Sequence, residues 1–488
     1  MRTLNMAAGL VIAATCSAAG ADVLRWINPN GGAWTDASNW DQGRVPTNMD
    51  SAEFDLNATY TVTVPADPGV PVIGIKVLRG NVNIQGPGTS FSQIGRINFA
   101  FNGPGHILLV GSGTDAATLT LTRARIETCV ASFSISPGST AVMSTASSFW
   151  SCGMAQLTVP TGATLRLEGG GVSPGTLLIQ GGTAIVTSGS LNGESVAVSA
   201  GSTVRLSGTG SRFSYENSMV LRGLVEVQDG AQIAAIGGPS SIPITGEGCD
   251  LRLINGTLGS PGFRGDAATT VTLTGNYNWV AQSSNSEYRG VFSAGPGGQV
   301  QVWGRHYAPA EFDQASINTL STFGGFQGGL TLKVDGLIDP PTPVVRRSAA
   351  SFGDTILDGP LVVEVRNSNA LRVGDVVPLL QHQANTHGSF TSVQVPVIGG
   401  GRVLEVYAEG TPLTTYLRVA AGGPSCYFDA DFNGDGDIGT DQDIEAFFAC
   451  LGGTCCAACA SADFNGDGDT ATDQDIEAFF HVLGGGSC

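Results

Sequence analysis

The sequence predicts a mainly β protein: a parallel β-solenoid of the right-handed β-helix type with a β-rich terminal unit, followed by a small α-helical module. Three observations predict it. The 488 residues include 70 Gly and only 13% charged residues, a balance that favours turn-rich β structure. A short unit of strand, glycine turn and strand recurs through the middle of the chain. Carboxylates and cysteines collect at the C-terminal end: residues 426–488 hold 13 Asp and Glu with no Lys or Arg, and six of the ten cysteines.

Residues 1–21 read as a secretory signal peptide. One early Arg precedes an apolar run from Met6 to Thr15, and Ala19-Gly20-Ala21 supplies small residues for cleavage after Ala21. The run is too short for a membrane span, and no later stretch approaches one. The mature protein is therefore expected to be secreted or held at the cell surface, without a transmembrane anchor.

Residues 22–59 place Trp26, Trp34 and Trp40 among Gly, Asn and Pro turns. Three Trp so close could stack on sugar rings. The stronger expectation is a cap, covering the apolar end that an open β structure would otherwise expose.

From residue 60 to 340 the solenoid body is expected. The recurring units are FSISPGSTAVM, LTVPTGATLRL, LLIQGGTAIV, VAVSAGSTVRL and VEVQDGAQIAA, with turns at Gly138, Gly162, Gly182, Gly201 and Gly230. Their spacings are 24, 20, 19 and 29 residues. A strand pair this short cannot bury its own apolar face, whereas stacked coils share one continuous core. Hairpins stacked in a sandwich are the competing fold. Cys129 and Cys152 lie about one coil apart and are expected to meet in a disulfide, leaving Cys249 unpaired.

Pro340, Pro341 and Pro343 mark a boundary. Residues 341–421 then read as a β-rich unit that finishes the solenoid, and residues 422–425 as a linker.

Residues 426–488 carry the clearest chemistry. DFNGDGDIGTDQDIEAFF begins at Asp431, and DFNGDGDTATDQDIEAFF begins at Asp463. A hard cation such as calcium takes several oxygen ligands from alternate positions of a tight loop. Asp431, Asn433 and Asp435 occupy positions one, three and five, Gly436 allows the bend, and Asp437 offers its carbonyl. Position twelve is Gln442, so Asp443 is expected to close a loop lengthened by one residue, with Asp441 as a substitute. The second copy uses Asp463, Asn465, Asp467, Asp469 and Asp475 in the same way, so two Ca2+ sites are expected. Ile444, Phe447, Phe448 and Leu451 then follow at helical spacing, as do Ile476, Phe479, Phe480 and Leu483. Gly452 and Gly484 end these helices.

This pair resembles dockerin type I modules, EF-hand-like units that attach secreted proteins to cohesin partners. The resemblance covers about 60 of 488 residues. It implies two calcium ions and a cohesin-like or cell-surface protein partner. The extra loop residue, the 32-residue interval and the cysteines between the copies depart from the dockerin pattern. Thr440, Asp441, Thr472 and Asp473 lie nearest its partner-contacting positions without matching them closely.

Six tail cysteines allow 15 pairings. The twofold similarity of the repeats favours Cys426 with Cys488, Cys456 with Cys459 and Cys450 with Cys455. Zinc at Cys456-Ala-Ala-Cys459 is the weaker reading, because no second such pair follows.

The chain lacks a basic patch for nucleic acid. The body also resembles bacterial surface and autotransporter-associated β-repeat proteins, which implies a structural or adhesive role. A secreted carbohydrate-active enzyme, either glycoside hydrolase or polysaccharide lyase, is the alternative, with polysaccharide as partner. Its richest polar segment is WGRHYAPAEFD, with Trp303, Arg305, His306, Tyr307, Glu311 and Asp313. A solvated loop or coil edge is the stronger expectation there, and no catalytic residue is assigned.

Overall fold

The computed structural model describes residues 22–66, 69–87, 95–99, 107–128, 132–151, 155–236, 242–260, 262–281, 286–337, 341–347, 354–383, 385–398, 402–421, 430–459 and 461–484. The expected signal peptide, the 422–425 linker and the Cys129–Cys152 and Cys426–Cys488 pairs lie outside them. The fold is mainly β and rich in parallel pairing, with two short C-terminal helices. The chain divides into two compact units, Met1–Glu194 and Ser195–Cys488.

In the first unit the strands stack in three parallel ladders. One runs from Val23–Arg25 through Ser51–Phe54, Gly74–Val77, Ile107–Val110, Ser132–Ile135 and Gln156–Pro160 to Thr176–Gln180. A second runs from Gly32–Ala33 through Thr59–Thr63, Gly80–Gln85, Ala117–Thr122 and Thr140–Met143 into Thr164–Ser173 and Thr183–Val198. A third links Val70–Val72, Gly95–Phe99, Ala124–Thr128 and Ser148–Ser151. From Ser51 to Ser151 each turn of the chain adds one strand to each ladder, and parallel pairs need such long returns. These parallel registers overturn the hairpin sandwich.

Alternation decides what lies inside. Leu119 and Leu121 are fully buried on Ala117–Thr122, while Thr118, Thr120 and Thr122 between them stay partly exposed. Successive side chains of a strand point to opposite faces, so the leucines meet Val82 and Ile84 of the neighbouring rung inside the coil.

Thr140 pairs with Thr164, an offset of 24, and Gln156 with Thr176, an offset of 20. The spacing of the glycine turns in this unit is thus the length of a coil. Gly138 and Gly162 each take φ +78° at the corner, the left-handed region that glycine enters without strain. At the next corner Gly181, not Gly182, takes it, with φ +83°.

The second unit repeats the arrangement. One ladder runs from Thr203–Ser207 through Leu224–Gln228, Asp250–Ile254 and Thr270–Thr274. It continues through Val291–Ala294, Ala310–Asp313, Leu330–Val334 and Pro360–Val365 to Ser392–Gln394. Gly201 precedes the first ladder, whereas Gly230 precedes Gln232–Ala235 of another. The 29-residue interval therefore joins two different corners and is not a coil.

Parallel pairing also continues past Pro341 and Pro343. Ile317–Phe326 pairs with both Val345–Arg347 and Asp354–Leu357. The prolines occupy an unpaired connection, where no ladder needs their missing N–H. The pattern changes later, where Val376–Gln381 pairs antiparallel with Thr414–Ala421 and that strand with Arg402–Glu409. This hairpin gives the β-rich finish expected for residues 341–421, with its start shifted towards the C-terminus.

Trp26, Trp34 and Trp40 are at most 1% exposed. Trp40 packs edge-on against Trp26 at 5.2 Å and Trp34 at 5.0 Å, and all three rings contact Phe54. They fill the core and present no open ring face for a sugar.

Candidate metal centre

The two acidic segments fold as two loop and helix units of the same design. Helix α1 spans Asp441–Leu451 and α2 spans Asp473–Leu483. Thr440 and Thr472 are the N-caps, and each forms a capping box with the Asp three residues on. Asp441 and Asp443 in the first turn of α1, and Asp473 and Asp475 in that of α2, also suit the positive end of the helix dipole.

Within the first loop, Asp431 accepts amide hydrogens from Asp435 through Oδ1 at 3.1 Å and from Gly436 through Oδ2 at 3.0 Å. Asn433 Oδ1 accepts from Asp435 N at 2.8 Å, and Asp435 Oδ1 from Asp437 N at 2.9 Å. Gly436 takes φ +93°, the bend expected of it. In the second loop Asp463 Oδ2 accepts from Gly468 N at 3.0 Å, Asn465 Oδ1 from Asp467 N at 2.9 Å, and Asp467 Oδ1 from Asp469 N at 2.8 Å. Gly468 repeats the bend with φ +91°. Asp435, Asp437 and Asp469 are exposed, whereas Asn465 is buried.

Asp443 and Asp475 are fully buried. Asp443 Oδ1 accepts from Asn433 N at 3.2 Å, and Oδ2 accepts from Thr440 N at 2.8 Å and Thr440 Oγ1 at 2.9 Å. Asp475 takes the matching donors: Asn465 N at 3.2 Å, and Thr472 N and Oγ1 at 2.8 Å. Burial pushes the Asp443 carboxyl up, and the amides of Thr440, Asn433 and Phe432 with the Thr440 hydroxyl outweigh it, leaving the group below its usual range. These carboxylates tie the start of each loop to the start of its helix. Spacing shows that a carboxylate stands there but does not show this task.

The donors of both loops are carboxylate, amide and main-chain oxygens, the chemistry a hard cation takes. Among the described residues, no three His, Cys, Asp or Glu side chains converge as a metal-holding group. A calcium loop also draws on Asn and carbonyl oxygens, which lie outside that set of residue types. One atom bears directly on the fit: Asp463 Oδ1 is buried and has no hydrogen-bond partner. A buried carboxylate oxygen without a hydrogen-bond donor is suited to an ion as its partner.

The helices pack through aromatic rings. Phe447 and Phe479 stack at 4.1 Å, Phe432 meets Phe447 edge-on at 5.2 Å, and Phe464 meets Phe479 edge-on at 5.3 Å. Phe432 and Phe464, at the second position of each loop, belong to this core although helical spacing could not include them. Phe448 and Phe480, counted on the apolar face by that spacing, are 48% and 43% exposed. Disulfides join Cys450 to Cys455 and Cys456 to Cys459, two of the expected pairings. The latter occupies the sulfurs that the zinc reading needed. Cys249 is free and buried.

The polar residues from 303 to 313 do not gather in one cleft. His306 is buried between Tyr288, whose ring stacks at 4.3 Å, and Phe292, Phe312 and Phe326. Glu311 binds Lys333 at 2.7 Å, the buried Asp313 pairs with Arg366, and Tyr307 lies under Arg289 at 4.6 Å. Arg305 is exposed, and the Trp303 side chain lies outside the described residues. The segment consists largely of two strands, Gln299–His306 and Ala310–Asp313, because its alternate residues are needed in ladders. Of the solvated loop or coil edge expected there, the strands replace the loop.

Compared with known proteins, the chain matches no family model, no curated protein and no solved structure. No helix among the described residues is long and apolar enough to cross a membrane.

Proposed function

We propose that this is an exported, calcium-binding extracellular or surface protein with a structural or adhesive role. In this reading its parallel-rich body is a right-handed β-helix that displays or spaces. Its dockerin-like tail docks the body to a cohesin-like or cell-surface protein. The right-handed sense follows from the usual hand of parallel crossovers.

The observation that carries the reading is the duplicated oxygen-lined loop, whose two copies share three amide bonds and differ at one, the bond that Asp431 Oδ1 accepts and the partnerless Asp463 Oδ1 lacks. The ion would be held by Asp431, Asn433, Asp435 and the carbonyl of Asp437, and by Asp463, Asn465, Asp467 and the carbonyl of Asp469. Asp443 and Asp475 would complete the two sets by sharing oxygens that also cap the helices. Calcium would neutralise like charges that a bare loop must hold at close range.

The test is calorimetric titration of calcium into the intact oxidised protein. Two binding events per chain are expected, with one lost in Asp435→Ala and both lost when Asp467→Ala is added. Absence of binding in the unaltered protein would overturn the proposal.

A further inference from the structure

A polar groove of about 340 Å3 lies on the outer face of the first unit. Its side chains come from three adjacent rungs of one ladder: Thr59 and Thr61, then Asn81 and Asn83, then Thr120. Asn30 closes it from the loop between the first two strands. That loop sits close against the rung beneath, because Gly31 has φ +80° and a Cβ there would lie 2.2 Å from the Thr61 carbonyl oxygen. Only glycine lets the backbone approach so far and build this wall.

The chemistry of the groove is narrow. No lining side chain carries a charge, which disfavours phosphates, nucleic acids and acidic polymers. Tyr60 and Val82, the two large side chains at the site, are buried in the core, so neither presents a ring or a branched chain to a lipid. What remains is a lattice of hydroxyls and amides, about 4.8 Å apart between rungs and about 6.7 Å along a strand.

The lattice is ordered by its own hydrogen bonds. Asn81 Nδ2 donates to Thr59 Oγ1 at 3.1 Å, Asn83 Nδ2 to Thr61 Oγ1 at 3.4 Å, and Thr122 Oγ1 to Asn83 Oδ1 at 3.0 Å. An amide offers two donors and two acceptor positions, and a hydroxyl offers a donor and two acceptors. The bonds between rungs therefore hold the side chains in place and leave the Asn81 carbonyl and several hydroxyl protons to face solvent.

We propose that this groove binds a neutral polysaccharide, whose hydroxyls both donate and accept at each step along the chain. Rigid strands fix the lattice in advance, which lowers the ordering cost of binding. With no exposed ring to stack on, a single site is weak, with Kd of about a millimolar. The groove lies far in sequence from the acidic tail, and its occupancy is independent of calcium.

The test is affinity electrophoresis of the intact protein through gels containing galactomannan, mixed-linkage β-glucan or xyloglucan, beside gels containing alginate or polygalacturonate. Retardation by at least one neutral glycan is expected, unchanged by EDTA or by high salt, with none from the acidic polymers. Asn81→Leu with Thr61→Val should weaken that retardation at least tenfold while the thermal transition stays in place. Should that pair unfold the protein, the exposed single change Asn81→Asp serves instead and should weaken binding in the same sense. No retardation by any neutral glycan, equal retardation of a folded variant, or preference for the acidic polymers would each overturn the proposal. Because the EDTA arm is separate, failure here leaves the calcium reading intact, and the reverse also holds.

Discussion

At the scale of single residues, carboxylates of one repeat divide into two kinds. Asp435 is exposed and holds only loop amides, so Asp435→Ala should abolish one calcium event while the calcium-free helix keeps its circular dichroism. Asp443 is buried as the third residue of a capping box, so Asp443→Asn should loosen α1 without any calcium. A cost of about 1 to 2 kcal/mol is expected from chemical denaturation. Equal effects of both changes on the calcium-free protein would refute this division. His306 makes a different prediction. Burial pushes its imidazole down to about 3, against about 6.5 when unfolded. Between these values the unfolded chain binds the extra proton, so the contribution is complete above about pH 6.5 and is lost as pH falls towards 3. At pH 5 the loss should reach about 2 kcal/mol, and His306→Phe should remove that slope from the denaturation profile.

At the scale of elements, each helix starts from the same device. Thr472 accepts a hydrogen bond from Asp475 N, so Thr472→Ala should destabilise α2 by about 1 kcal/mol. Both loops enter the left-handed region at one matched position but with different residues: Gly439 takes φ +71°, and its counterpart Ala471 takes φ +62°. A Cβ in that region is strained, so Ala471→Gly should stabilise the second loop by about 0.5 to 1 kcal/mol. Hydrogen exchange across residues 463–484 would register it, and faster exchange in that variant would refute the argument. The coils teach the complementary lesson. Their glycine turns were legible because a corner needs positive φ, but Gly201 and Gly230 look alike in sequence and serve different corners.

At the scale of the whole molecule, charge and core are separated. The net charge is −18, and 13 carboxylates without a compensating Lys or Arg lie in residues 426–488. Calcium should therefore slow hydrogen exchange within residues 430–484 and leave the ladders unchanged. Protection that spreads to the ladders, or none in the tail, would contradict the reading. Stability of the β units rests instead on inward side chains shared between rungs. Leu165 is fully buried on Thr164–Ser173, and Leu165→Ala should cost about 2 to 5 kcal/mol in the first unit.

The sequence by itself determined the inward face of the solenoid strands, the glycine corners at Gly138 and Gly162, and that two acidic loops precede two helices, and its repeat symmetry pointed to the two local cysteine pairs. Those features are written in periods of two, of 3.6 and of about twenty residues, and each follows from the geometry of a strand, a helix or a coil. Tertiary structure alone decided the rest. Three ladders replaced a simple strand pair because period shows the face of a strand but not the rung it meets. The parallel pairing passed the prolines because only an unpaired corner had to accommodate them. Phe432 and Phe464 entered the tail core, and Phe448 and Phe480 were left half-exposed, because two packed helices need only one seam between them. Asp443 became a helix cap because its neighbours in space, Asn433 and Thr440, supply the donors that bury it.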